Sequence, residues 1–195
     1  LIEDETNYDG ILKEPVTAGT VRHSAYNAIQ CGCAGFTYGS HGLWYPTQDE
    51  KDRTFENWGE PVPWWESVRR QGGEHMGIFR RCYESVQWWL TEPWPEALKW
   101  EGGPEDYGWH WAPVEKGWPR AKELESAESA GPVPVARGTP DGKLAMIYFP
   151  AVFASDMAVS LTLPGTGAMQ FSAQWFNPQT GERSKAGHPA VKSKS

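Results

Sequence analysis

Three carboxylates stand side by side in LIEDETNYDG: Glu3, Asp4 and Glu5. A carboxyl group can act as base, nucleophile or proton donor, and an acidic triplet can equally be a solvated stretch. Tyr8 could hydrogen-bond such a carboxylate, fix its orientation and lower its pKa, or it could pack under a loop. Asp9 could cap or hold a loop amide. A second cluster lies in GFTYGSHGLWYP, where Tyr38, His41 and Trp44 follow one another closely. An imidazole can donate to a hydroxyl, and an indole can stack on the C–H face of a sugar ring.

Other chemistries find less support. GSHG sets Ser beside His but is not the G-x-S-x-G of a nucleophile elbow. TAGT and GTGA lack the phosphate-loop lysine pattern. His110 near Glu105 and Asp106 has no recognised ligand spacing, so no metal and no cofactor is expected. A net charge of −7 argues against nucleic acid, and no apolar run is long enough for a membrane helix. The 12 Trp residues are too many for packing alone and point to carbohydrate contact. Cys31, Cys33 and Cys82 read as packed, inert thiols, which leaves the redox compartment open.

These residues need elements to position them. The segment around Leu1 and Ile2 reads as a short strand that needs neighbours. TAGTVRHSAYNAIQCG, 17–32, reads as a helix: Thr17 or Thr20 could cap it, Val21, Ala25, Ala28 and Ile29 share a face, and Gly32 ends it. A strand and loop follow over 35–46. Residues 64–72 begin a helix, and 75–90 form a clearer one, with Met76, Phe79, Tyr83, Val86 and Leu90 on its apolar face. Residues 93–132, rich in Pro and Trp, read as an ordered irregular connection.

From residue 133 the period changes to two. VPVARG and KLAMIYFP flank the turn TPDG, a hairpin signal, and Val159, Leu161 and Leu163 alternate with polar residues. FSAQWF runs into the NPQTGE turn. The expected architecture is therefore α/β plus all-β. Residues 1–92 form the last β/α units of a larger domain, 93–132 connect, 133–186 form a small antiparallel β domain, and 187–195 are a disordered tail. Two β/α units cannot close a barrel, so the chain is expected to be a fragment or one half of a split protein.

The motifs resemble those of the apiosidase-like glycoside hydrolases. DETNYDG stands where that family has a Gly-Glu-x-x-Tyr-Glu-like signature at its seventh barrel strand. RHSAYNAIQCGCAGFTYGSHGLW is similar to its Gly-Ala-Ala-Gly-x-x-Tyr-Gly-x-x-Gly-x-Trp run, and WFNPQTGE to a turn of its C-terminal module. Asp4 replaces the family's Gly, and Asp9 its second Glu. The resemblance implies the C-terminal part of a (β/α)8 TIM barrel followed by a β-sandwich named for collagen binding. It implies Glu5 at a strand's C-terminal end as nucleophile or base, with Tyr8, Tyr38, His41 and Trp44 binding substrate on the same rim.

The acid partner would come from the absent N-terminal part of the barrel, on the same polypeptide or a second chain. The activity implied is hydrolysis of glycosidic bonds in plant or microbial polysaccharide, with apiose-containing pectic side chains as one possibility. A secreted or extracellular setting fits such a substrate. The alternatives are a non-catalytic carbohydrate- or matrix-binding protein and a structural partner that completes a barrel.

Overall fold

The computed structural model describes residues 1–3, 8–12, 16–49, 51, 56–60, 62–95, 97–101, 134–149, 158–163 and 171–186. Helix α1 spans Ala18–Gln30, capped by Thr17, whose Oγ1 accepts from the Thr20 amide at 3.3 Å. Val21, Ala25, Tyr26 and Ile29 form its buried stripe. On either side of α1 run two extended segments bridged in parallel, at Glu3 with Phe36 and at Asp9 with Ser40. The ladder includes Glu3 N–H to Gly35 O at 3.0 Å and Thr37 N–H to Glu3 O at 2.8 Å. Extended segment, helix, parallel extended segment is the crossover that the sequence order called for.

Helix α2 is a single turn, Trp64–Ser67, and α3 spans Gln71–Glu84. The third helix differs from the expected 75–90. It begins four residues earlier and stops at Glu84, and a 3-10 turn, Trp88–Leu90, follows. Its buried positions are Gly72, His75, Ile78 and Tyr83, while Leu90 is 53% exposed. The buried face is thus set by what α1 presents, including a polar partner for His75, and not by the apolar spacing alone.

The remaining strands are all antiparallel. Strands β1 (Glu92–Pro93), β3 (Val135–Gly138) and β4 (Ala145–Tyr148) make one sheet in the order β1-β3-β4. Strand β2 (Leu98–Glu101) pairs with β5 (Ala158–Leu161), and β6 (Gln174–Phe176) with β7 (Arg183–Lys185). Residues 92–101 therefore give two strands where an irregular connection was expected. The rest of that connection, at 102–133, and the tail at 187–195 lie outside the described residues.

Side-chain alternation explains the layering. Along β3 and β4, Val135, Met146 and Tyr148 pack with Tyr26, Ile29, Phe79 and Tyr83 of the helices. Their neighbours Ala136 and Ile147 turn the other way, onto Trp94, Leu98, Val159 and Leu161. The central sheet is thus buried on both faces, by α1 and α3 on one and by β2 and β5 on the other. Tyr26 lies flat on Tyr148, centroids 4.9 Å apart, and meets Phe79 edge-on at 5.1 Å. Each such pair adds about 0.5–1.5 kcal/mol beyond its area.

One cation pins these layers. Arg137 of β3 is 4% exposed; its Nη2 donates to Thr91 O at 2.9 Å, its Nε to Thr91 Oγ1, and its Nη1 to Ile29 O near the end of α1. Its guanidinium also lies 5.6 Å from the centre of the Trp88 ring.

Candidate active site

Where the second parallel segment ends, the chain turns across the first at Asp9. Asp9 is buried, and its backbone amide donates to Gly39 O while its carbonyl accepts from the His41 amide, at 3.0 and 2.9 Å. Its carboxylate Oδ2 accepts from the Gly72 amide at 2.9 Å and from the Tyr38 hydroxyl at 3.3 Å. Asp9 therefore ties the start of α3 to the rim, as a loop-amide acceptor. Burial, then the Asp9 charge, push the Tyr38 pKa up to about 12, which keeps its proton for that bond.

Tyr8 is half-buried with its ring over Gly39; a Cβ there would sit 2.5 Å from the Tyr8 Cδ1. Gly39 is thus what lets the aromatic lie flat against the neighbouring segment. His41 is 3% exposed. Burial, then the Arg70 charge, lower its pKa, so the imidazole is neutral at neutral pH. Its Nδ1 is buried with no hydrogen-bond partner, and its carbonyl accepts from Ser67 Oγ at 2.5 Å. Trp44 stands beside it, ring centres 6.4 Å apart, and is 41% exposed.

The structure thus brings Tyr8, Asp9, Tyr38, His41 and Trp44 onto one rim. Glu5 lies outside the described residues. It falls between the two parallel bridges, an interval of six residues from Glu3 to Asp9 against four from Phe36 to Ser40.

Sequence reasoning missed Arg70 and Gly72, which complete the rim from α3. Gly10, at φ +79°, has the Arg70 guanidinium where a Cβ would point, 2.2 Å from its Cζ. A signal for Gly72 was present. Two glycines opening a helix weaken it, and a Cβ at Gly72 would lie 2.4 Å from Asp9 Oδ2. The three thiols need a correction. All are free; Cys33 is buried and Cys82 half-buried, but Cys31 is exposed, because it lies past the end of α1. Burial still raises the pKa of Cys31 and Cys82, which disfavours the reactive thiolate.

Among the described residues no group of three metal-ligating side chains comes together, and no helix is long and apolar enough to cross a membrane. No curated protein shows significant similarity to the chain. Solved structures do. One glycoside hydrolase superposes with a TM-score of 0.65 at 15% identity, over 95% of this chain and 36% of its own. A glycoside hydrolase family 5 protein from Bacteroides vulgatus ATCC 8482 gives 0.68 at 16% identity, over 95% and 35%. The chain thus has the fold of part of these proteins and spans about a third of their length. In sequence, residues 1–90, which carry the rim, are similar to the family described as apiosidase-like, catalytic domain.

Proposed function

We propose that this chain supplies one side of a glycoside hydrolase site, with Glu5 as nucleophile or base. Its acid partner stands on the preceding part of a TIM barrel, outside the chain. The observation that carries this reading is the match of residues 1–90 to the apiosidase-like catalytic domain, which spans both halves of the rim. The geometry supports it: Asp9 and Tyr38 hold the rim, buried neutral His41 packs behind Trp44, and exposed Trp44 can stack on a ring. In this reading residues 1–92 end the barrel, and 133–186 are an accessory sandwich. Apiose-containing pectic side chains are the substrate the family resemblance favours.

A second reading rests on the aromatics. Trp44, Tyr45, Trp58, Trp64 and Trp65 are each at least 40% exposed, and exposed aromatic rings suit holding saccharide without cleaving it. One substitution separates the two. In the polypeptide completed by its barrel partner, Glu5→Gln lowers glycoside hydrolysis by about a thousandfold or more, with substrate affinity retained. Hydrolysis that survives Glu5→Gln removes the assignment. Saccharide binding without turnover in either form supports the binding protein.

A further inference from the structure

A second concavity lies away from the rim, between the β6–β7 hairpin, the end of β4 and α1. It has a volume of about 640 Å³ and is walled by Arg22, Phe149, Trp175, Asn177, Glu182 and Arg183 among others. We infer that this cleft is a non-catalytic binding site for a carboxylated saccharide, holding one uronic-acid residue of it. The inference goes beyond the hydrolase reading and does not depend on it.

The wall combines a platform with cations. Trp175 is 55% exposed and is held by an edge contact with Phe149, centroids 5.6 Å apart. An indole more than half exposed leaves apolar ring surface for the C–H face of a pyranose. Arg183 is held over Phe176 at 5.1 Å, with one Nη2 donation to Ser85 Oγ at 2.7 Å. The rest of its fork remains for a carboxylate.

Arg22 is 7% exposed; its Nη1 lies 3.0 Å from His75 Nδ1, and its Nε is buried without a partner. Among the described residues no carboxylate pairs with either arginine. Arg22 therefore brings a positive charge to the inner wall of the cleft, where an anion would meet it at low dielectric. Asn177 uses its Oδ1 on the Gln179 and Thr180 amides, which leaves its NH2 group to donate to a ligand oxygen.

The charge count selects the anion. Arg22 and Arg183 against Glu182 leave one net positive charge in the wall, which matches a single planar carboxylate better than a doubly charged phosphate. The guanidinium fork favours the same group, because it binds carboxylate through two parallel hydrogen bonds.

The test is a calorimetric titration of the full chain with an oligouronate, its fully methyl-esterified form and inorganic phosphate. The oligouronate binds, more weakly at high salt, and esterification weakens it at least about tenfold. Trp175→Ala and Arg183→Gln, both at exposed positions, each weaken it by about tenfold or more. Glu5→Gln leaves this binding unchanged, so the cleft and the hydrolase site fail separately. Equal affinity for the ester, full displacement by phosphate, or binding unaffected by both variants overturns the assignment.

Discussion

His23 shows how one residue sets a pH limit on the fold. It sits on α1 with Nε2 accepting from Asn27 Nδ2 at 2.8 Å and Nδ1 3.3 Å from the Tyr148 hydroxyl. Burial, then the adjacent Arg22 charge, push its pKa from 6.5 down to about 4. A second proton would also set an N–H against the Asn27 amide donors. Between these two pH values the unfolded chain binds more protons than the folded one. The stabilisation is therefore complete above about 6.5 and is lost as the pH falls through about 4. The urea midpoint is expected to drop across that window, and His23→Asn to flatten the drop. An unchanged slope in the variant would assign the acid sensitivity elsewhere. The rim behaves differently, because neutral His41 and protonated Tyr38 hold one state through the neutral range.

Helices and hairpins carry their own signals, and long-range pairs do not. Thr17 with Val21, Ala25 and Ile29 made α1 legible, and TPDG between alternating runs did the same for β3 and β4. Strand β1 is two residues long, ends in Pro93, and finds its partner across more than forty residues of sequence. Nothing local marks it. In the rim, Tyr38, His41 and Trp44 were legible as a motif, whereas Gly72 meets Asp9 from 63 residues away. The α3 register was misread because His75 is buried against Arg22, a polar contact that apolar spacing cannot show.

Arg137 belongs to this scale, since it joins β3 to α1 and to the 3-10 turn. Arg137→Met would take the guanidinium donor from Thr91 O and leave Ile29 O with the Gly32 amide alone, besides emptying the buried space the guanidinium fills. The expected loss is about 3 kcal/mol or more by urea unfolding. Arg137→Lys recovers only part of it, because one ammonium cannot reach both carbonyls in a fixed fork.

Across the whole molecule the helical and β parts share one core, with Tyr26, Ile29 and Tyr83 from the helices meeting Tyr148, Val135 and Met146 from the sheet. A shared core predicts a single cooperative unfolding transition. Far-ultraviolet circular dichroism, which follows α1 and α3, and near-ultraviolet signals from the aromatic stack should lose amplitude at one denaturant concentration. Two separated transitions would show that the β part stands alone. The sheet of β1, β3 and β4, enclosed on both faces, carries a wider consequence. A β module of this kind is not a transferable cassette. Grafted onto another protein, it would arrive with a bare aromatic face and an arginine aimed at two carbonyls the new host does not have. Recombination should therefore succeed only when α1 and α3 travel with the sheet they cover.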